Sequence, residues 1–160
     1  MAVEIAVGGP IDRLCARLAP VLTEALMDGG IDAVFAGASK SFVAHREHGF
    51  LLHASVHAPE HHTRAHDHAE AWAVYGIAGG QTAYRLYVRG IDRAPGVATL
   101  ALVREHVATR GETAIVLPGQ VHENWNPGET LAWNLVIRPR PLGDLARRRY
   151  IPESGVYVPL

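Results

Sequence analysis

The sequence predicts an all-β fold, either a barrel or a double-sheet jelly roll, with a short helical segment before it. From about residue 50 onward, the chain consists of short runs rich in β-branched and aromatic residues. Glycine, proline and asparagine separate these runs at short intervals, which is typical of barrels and sandwiches. Before residue 30, apolar residues instead recur every three or four positions, which indicates a helix.

The helix is predicted over residues 10–29. Pro10 suits the first turn of a helix. The apolar positions of its buried face are Leu14, Leu18, Val21, Leu22, Ala25 and Leu26. We expect Pro20 to kink or divide the helix, because proline removes a backbone hydrogen bond. Gly29 and Gly30 are expected to end it in the left-handed conformation that glycine accepts.

Six strands are predicted, over residues 50–56, 72–78, 82–88, 97–107, 113–117 and 130–137. The turns between them fall at 79–80, 94–96, 118–119 and 126–128. Residues 1–49 are interpreted as a helical lead that packs on the barrel, and residues 50–160 as the barrel itself. We expect the two parts to form one domain, which a length of 160 residues permits.

The composition disfavours several classes of function. The formal net charge of −1 implies no broad basic surface, so we expect no nucleic-acid partner. Cys15 is the only cysteine, which excludes an intrachain disulfide and agrees with the expected cytoplasmic location. No apolar run approaches the roughly 20 residues of a membrane span, and the N-terminus lacks a signal-peptide pattern. No membrane partner is therefore expected.

Histidine is the anomaly of this composition, because the chain has ten and five of them fall between residues 57 and 68. His66 and His68 are two positions apart, so in a strand both would point to the same face. His122 follows the predicted turn at 118–119 and could add a third imidazole from an adjacent strand. Neutral imidazole suits iron, zinc, copper and nickel, and three ligands leave positions open for water, substrate or oxygen. The alternative is a set of exposed or hydrogen-bonded histidines on a polar strand.

Two half-motifs resemble those of the cupin superfamily. The first consists of His66-Asp67-His68, followed by Trp72 and Gly79. The second resembles G-x5-P-x-G-x2-H-x3-N with the proline shifted by one, and its residues are Gly111, Pro118, Gly119, His122 and Asn126. This resemblance implies a cupin double-stranded β-helix barrel that holds one divalent metal ion through His66, His68 and His122. Iron(II) is the expected metal, with nickel, zinc and manganese as alternatives.

The sequence departs from the cupin pattern at the glutamate that many cupins add as a fourth ligand. That position falls on Trp72, which cannot bind metal and is interpreted as a core aromatic residue, a wall of the substrate pocket, or both. Glu70 lies nearby on the same strand parity and is a candidate ligand or partner of a ligand. His57 is a candidate acid–base group of the pocket if it faces inward, and otherwise a buried polar residue.

A three-histidine site without the carboxylate resembles the cysteine dioxygenase branch of the cupins. Residues 66–80 are similar to the corresponding stretch of its bacterial members. That branch uses iron(II) to bind a thiol and O₂ together and adds both oxygen atoms to sulfur. Its Ser-His-Tyr relay aligns with Ala132, Asn134 and Val136, so the relay is missing here and Asn134 is the candidate catalytic group in its place.

The arginine that binds the substrate carboxylate in that branch aligns with Lys40. Lysine can pair with a carboxylate, although without the two-pronged geometry of a guanidinium group. Lys40 is therefore a candidate substrate-binding residue, and the alternative is an ordinary surface lysine.

Three functions are compatible with these residues. The leading one is a mononuclear Fe(II) dioxygenase-like enzyme that acts on a small organic substrate such as a thiol or thiol-carboxylate. The second is a non-oxidative metal-dependent isomerase, lyase or hydrolase, with Glu70, His57 or Tyr75 as the proton carrier. The third is a non-catalytic cupin that binds a small molecule. The expected partners are the substrate, O₂ and a second copy of the chain, on which the apolar tail at 156–160 could pack.

Overall fold

The computed structural model of the protein describes residues 9–47 and 49–160. Two helices come first, α1 (Pro10–Met27) and α2 (Gly30–Val34). The strands that follow are β1 (Phe42–Glu47), β2 (Phe50–His57), β3 (His62–His66), β4 (Ala73–Gly79), β5 (Thr82–Ala94), β6 (Val97–Ala108), β7 (Thr113–Val116), β8 (Val121–Trp125), β9 (Ala132–Arg138), β10 (Arg148–Ile151) and β11 (Val156–Pro159).

The central strands pair as one long antiparallel hairpin that is rolled up on itself. At its tip β5 pairs with β6, and successively outward β4 pairs with β7, β3 with β8 and β2 with β9. Lateral pairing of β4 with β9 and of β5 with β8 completes the roll. This nested order is that of the double-stranded β-helix, or jelly roll. The predicted all-β class with a short N-terminal helical segment is therefore confirmed.

The roll consists of two sheets. The first is five-stranded, in the order β1-β2-β9-β4-β7. In the second, β10 and β11 join the central strands and close a ring in the order β10-β11-β6-β5-β8-β3. The apolar tail at 156–160 provides β11, which pairs with β10 and, through Val156, with Val97 of β6.

The helices cover the outer face of the five-stranded sheet. Leu22 and Leu26 of α1 belong to the same buried cluster as Val74 of β4. Side chains alternate along a strand, so Tyr75 points to the opposite side, into the barrel. Gly76 lies on the helix side, where an added Cβ would be 2.5 Å from Leu26 Cδ1 and 2.7 Å from Leu22 Cδ2. The missing side chain of Gly76 allows α1 to approach the sheet closely.

Each of the six predicted strands corresponds to an observed one, namely β2, β4, β5, β6, β7 and β9. One difference concerns residues 1–49, interpreted above as a helical lead. Strand β1 lies inside this range and pairs with β2, so the sheet begins before residue 50. The short strands β3 and β8 are rich in histidine and other polar residues and lack the apolar pattern of a strand. Their extended conformation depends on pairing within the sheet, where β8 lies between β3 and β5.

The helical segment differs from expectation in two details. Pro20 lies inside one uninterrupted helix, where its exposed position leaves the unpaired carbonyl of the preceding turn open to water. The expected left-handed glycine cap is wrong, because Gly29 has a φ of −60° and the helix ends at Asp28 in an extended conformation. Among the described residues, the structure contains no helix of the length and apolar character needed to cross a membrane.

We expect Gly76→Ala to lower the free energy of unfolding by about 1–3 kcal/mol, because the added methyl group overpacks the buried leucines of α1. Urea denaturation followed by circular dichroism measures this change. Gly143→Ala is the matched control, since an added Cβ there has no heavy atom within 4 Å. Its effect should stay within about 0.5 kcal/mol. Equal losses in the two variants would contradict the close helix–sheet approach at Gly76.

Candidate metal centre and the cavity beside it

The three histidines predicted as metal ligands lie together inside the barrel. His66 is the last residue of β3, His68 follows just beyond the strand, and His122 lies directly opposite His66 in β8. They are 7%, 0% and 3% exposed, respectively. One ligand nitrogen from each lies within 4.8 Å of the others, and the Nε2 atoms of His68 and His122 are 3.1 Å apart. The group could therefore hold one metal ion.

Burial keeps the three imidazoles neutral, because a charged ring would lose its hydration. Burial, followed by the electrostatic influence of His66, Arg138 and Arg147, lowers the pKa of His68 to about 3. Desolvation is also the main cause that lowers the pKa of His66 and holds the pKa of His122 well below its ordinary value. The neutral ring is the form that binds a metal ion.

The hydrogen bonds of the rings agree with a metal-binding role. His66 Nδ1 donates to the backbone carbonyl of Arg64 at 2.9 Å, which leaves the lone pair of its Nε2 available. His68 Nδ1 is buried and has no hydrogen-bond partner in the described part of the chain. Three neutral nitrogen donors suit a divalent ion such as iron, zinc or nickel and leave further coordination positions open. The residues present thus fit the metal that the cupin resemblance implies.

Asp67 holds the segment that carries His66 and His68. Its carboxylate accepts hydrogen bonds from the backbone N–H groups of Ala69 at 3.1 Å and Arg148 at 3.0 Å, and from the Tyr150 hydroxyl at 2.7 Å. Asp67 is 2% exposed, so these bonds form where water does not compete with them. The carboxylate ties the two histidines to the neighbouring strand β10 and orients them toward His122.

Tyr75 of β4 lies against the histidine cluster from the facing sheet. Its hydroxyl is 3.4 Å from His68 Nε2, and its ring centroid is 5.5 Å from that of His122. Burial raises the pKa of Tyr75, so the phenol keeps its proton. Tyr75 can therefore donate a hydrogen bond at the metal site but does not act as a base near neutral pH.

A narrow cavity extends from the histidine cluster through the barrel interior. His122 and Tyr75 line one end, and the polar residues of the other end are Asn124, Asn134 and Thr82. The wall between them consists of Ile77, Tyr84, Leu86, Ala114, Ile115 and Val116. A mostly apolar cavity with a few polar groups is the usual form of a small-molecule site.

Asn134, the predicted catalytic group, lines the cavity at its inner end. Its Oδ1 accepts a hydrogen bond from the Thr82 hydroxyl at 3.0 Å, and its Nδ2 is 3.5 Å from His57 Nδ1. His57 lies behind Asn134, stacked on His61 at 4.3 Å, and is not among the residues that line the cavity. Burial is the main cause that lowers the pKa of His57 to about 4. The structure thus places His57 in the layer that supports the cavity, which differs from its predicted pocket position.

Trp72, predicted as a core aromatic residue, a pocket wall or both, belongs to the core beneath the helices. It is 9% exposed and shares a buried cluster with Cys15, Phe35 and Val74. It does not line the cavity. Trp72 therefore does not form a wall of the pocket. The reason is its position immediately before β4, which fixes the side of the sheet on which its ring lies. Trp72 has the parity of Val74, which faces the helices, and the opposite parity from Tyr75, which faces the barrel.

Two further candidates lie on the surface. The side chain of Glu70 is 62% exposed, in the turn after His68, and it pairs with Arg140 at 3.7 Å. It is therefore apart from the imidazoles and is not a metal ligand in this arrangement. Lys40 is exposed in the segment between α2 and β1 and does not line the cavity. Both positions were inferred from motif spacing, which does not record the direction of a side chain.

Two arginines near the histidines were not predicted. Arg138 ends β9 on the inward parity of Asn134, and Arg147 immediately precedes β10, whose Arg149 pairs with His66. The Nε atoms of Arg138 and Arg147 are buried without a hydrogen-bond partner among the described residues. The charges of both arginines help to lower the pKa of His68. Burial is the main cause that lowers the pKa of Arg138, and the charge of Arg147 is a smaller one. The sequence holds five arginines between residues 138 and 149, and this concentration of positive charge was the one signal that could have indicated them.

Several solved structures are similar to part of this chain. No protein-family model and no curated protein matches the sequence. The protein TT1209 from Thermus thermophilus is 20% identical, with a TM-score of 0.49, over 63% of this chain and 83% of that one. Oxalate oxidase in complex with glycolate is 22% identical, with a TM-score of 0.47, over 57% of this chain and 42% of its own.

The cupin domain of Schizosaccharomyces pombe Cnp3 is 10% identical, with a TM-score of 0.48, over 63% of this chain and 62% of that domain. The present chain therefore spans less than half of oxalate oxidase and under two thirds of the Cnp3 structure. These similarities are partial and say nothing about the chemistry of the site.

Asp67→Asn should weaken the binding of Co(II), used as a spectroscopic probe metal, by about 10–100-fold, because the histidine segment loses an acceptor that orients it. Titration followed by visible absorption measures the dissociation constant. Asp144→Asn, at an exposed carboxylate in the loop before β10, is the matched control and should bind Co(II) as the parent does. Unchanged affinity in a folded Asp67→Asn protein would show that the carboxylate does not orient the ligands.

Proposed function

We propose that this protein is a mononuclear metal-dependent cupin, an Fe(II) dioxygenase-like enzyme that acts on a small thiol or thiol-carboxylate. The observation that carries the proposal is the cluster of three buried, neutral imidazoles from His66, His68 and His122 at one end of a cavity. Iron(II), when bound there, supplies the chemistry that activates oxygen toward a thiol. A cytoplasmic location agrees with this chemistry, because thiols stay reduced there.

The protein's own residues exclude water and orient the substrate. Apolar residues such as Leu86 and Val116 surround the approach to the histidines, which keeps the reacting groups out of bulk solvent. The Tyr75 hydroxyl, protonated and 3.4 Å from His68 Nε2, can donate a hydrogen bond to a group held beside the cluster. Asn134 cannot shuttle protons, because an amide neither gains nor loses one near neutral pH. We therefore assign Asn134 a positioning role and leave the thiol proton to a base of the substrate or to water.

The arginines support a substrate with a negative charge. The Nε atoms of Arg138 and Arg147 are buried and have no hydrogen-bond partner within residues 9–47 and 49–160. Two neighbouring guanidinium groups without an anion are unfavourable, and a carboxylate can bridge them through charge-assisted hydrogen bonds. Neither arginine lines the cavity itself, but the charges of both act on His68. We propose that they replace Lys40 as the groups that bind a substrate carboxylate held beside the histidines.

The surroundings of the candidate proton carriers favour the dioxygenase-like function over that of a non-oxidative isomerase or lyase. Such an enzyme needs a base within reach of the substrate. Glu70 is exposed and paired with Arg140. Tyr75 keeps its proton because burial raises its pKa. Among the residues that line the cavity there is no aspartate or glutamate.

His122→Ala should abolish stoichiometric Fe(II) binding and thiol-dependent oxygen uptake while leaving a folded barrel, because one of three ligands is lost. Elemental analysis, an oxygen electrode with a panel of thiols, and circular dichroism measure the three properties. The control is His106→Ala. This half-buried histidine of β6 pairs with Glu112 and is not one of the three predicted ligands. Full iron occupancy in His122→Ala would remove His122 from the site. A fully loaded parent protein without oxygen uptake on any thiol would reject the dioxygenase proposal.

Arg138→Gln should raise KM for mercaptoacetate by about tenfold, while KM for the neutral 2-mercaptoethanol changes less than about twofold. The reason is that one charge-assisted contact to the carboxylate, worth about 1.5 kcal/mol, is lost. Steady-state oxygen uptake measures both constants. Arg140→Gln is the matched control, because Arg140 already pairs with Glu70. Equal changes for the two thiols would exclude Arg138 from carboxylate binding.

A further inference from the structure

Asn124 lines the cavity beside the metal site, at a position that neither motif specifies. It follows His122 by two residues in β8, so both side chains point into the barrel. Tyr84 of β5 is its direct cross-strand partner and lines the cavity beside it. The positions of His122 and Asn124 are about 7 Å apart along the strand.

The carboxamide of Asn124 is buried and unsatisfied. The residue is 7% exposed, and its Oδ1 is inaccessible to water and has no hydrogen-bond partner among the described residues. A buried carbonyl oxygen without a donor reduces stability, because it has lost its hydrogen bonds to water. Such groups are uncommon in native proteins, and where one lines a cavity a water, an ion or a ligand can supply the missing partner.

Two other buried asparagines nearby have partners. Asn134 Oδ1 accepts a hydrogen bond from the Thr82 hydroxyl at 3.0 Å. Asn126 donates from Nδ2 to the carbonyls of His57 and Thr130, and its Oδ1 accepts from the N–H of Gly128. The side-chain oxygens of these two asparagines therefore have hydrogen-bond donors within the barrel, whereas Oδ1 of Asn124 has none among the described residues.

The surroundings of Asn124 define the chemistry of the missing donor. The residues that line the cavity include no aspartate, glutamate, lysine or arginine. An ammonium group at this depth would be desolvated without a counter-ion, which is costly. A hydroxyl or an amide N–H supplies one hydrogen bond without that cost. The apolar residues that line the cavity suit a short carbon chain.

We propose that Asn124 is a specificity-determining residue that binds an uncharged hydrogen-bond donor, a hydroxyl or amide N–H, on the substrate. The donor lies at the end of a short carbon chain, about 7 Å from the group held at the histidines. This inference rests on the proposed function for the metal-bound end of the substrate, and on the structure of the cavity for the other end.

The first test needs neither metal nor substrate. In metal-free protein, Asn124→Leu should raise Tm by about 2–4 °C, because an unsatisfied buried amide is replaced by an apolar side chain of similar size. Asn134→Leu is the matched control in the same cavity and should lower Tm, because it leaves the Thr82 hydroxyl without its acceptor. Differential scanning calorimetry measures both. A loss of stability in Asn124→Leu would show that the amide is structural and would overturn the proposal.

The second test uses a pair of probes with equal numbers of heavy atoms, 3-mercapto-1-propanol and 1-butanethiol. Their dissociation constants are measured on Co(II)-loaded protein from the thiolate absorption band. The preference of the parent for the hydroxyl-bearing probe over the apolar one should fall at least about fivefold in Asn124→Leu, because the variant lacks the acceptor for the hydroxyl. An unchanged preference would overturn the assignment of Asn124.

Failure of the proposed function has a different signature. It would appear as lack of Co(II) uptake, or of a thiolate band, in the parent protein itself. In that case the calorimetric comparison of Asn124→Leu with Asn134→Leu alone decides the inference. Raised stability in the first variant and lowered stability in the second would support an unsatisfied ligand-binding amide, and any other pair of signs would reject it.

Discussion

Both faces of strands β4 and β9 in the five-stranded sheet are largely buried, the outer face beneath the helices and the inner face inside the barrel. This constraint assigns each residue of β4 and β9 to one of two environments. Val74 and Leu135 pack under the helices, whereas Tyr75 and Asn134 face the cavity. A shift of one residue in either strand would exchange the two sets and bury polar groups against leucine side chains. The packing of the helices on the sheet therefore determines which side chains surround the histidines.

The barrel interior is also electrostatically asymmetric. At the end where His68 lies, the charges of Arg138 and Arg147 help burial to keep the imidazoles neutral. Along the cavity toward Asn124, the lining residues are apolar or uncharged. This arrangement separates an end that suits a metal ion and an anion from an end that suits a neutral polar group. A substrate that matches both ends is held in one orientation, and this is how a cavity of modest size achieves specificity.

Trp72 and Glu70 show that the spacing of a motif does not predict where its side chains point. The count from His68 places Trp72 at the position of the cupin glutamate, but spacing records the number of residues and not their direction. The segment after His68 forms a turn, in which Ala69 has a φ of 52° and the N–H of Ala71 bonds to the carbonyl of His68. That turn directs Glu70 to solvent and delivers Trp72 to the helix side of β4. No carboxylate from this segment joins the three imidazoles.

The sequence by itself determined the fold class and the histidine group, because both depend on local pattern. Alternating apolar runs indicate strands wherever they occur, and paired half-motifs bring His66, His68 and His122 to one predicted site. Only the tertiary structure decided the rest. Strands β3 and β8 have no apolar pattern, and their extended conformation depends on pairing with each other and with β10 and β5. The partners of Asp67, the unpaired Nε atoms of Arg138 and Arg147, and the unsatisfied amide of Asn124 arise from contacts between residues far apart in the chain. Such contacts depend on how the rolled hairpin brings distant strands together, and no short stretch of sequence encodes that arrangement.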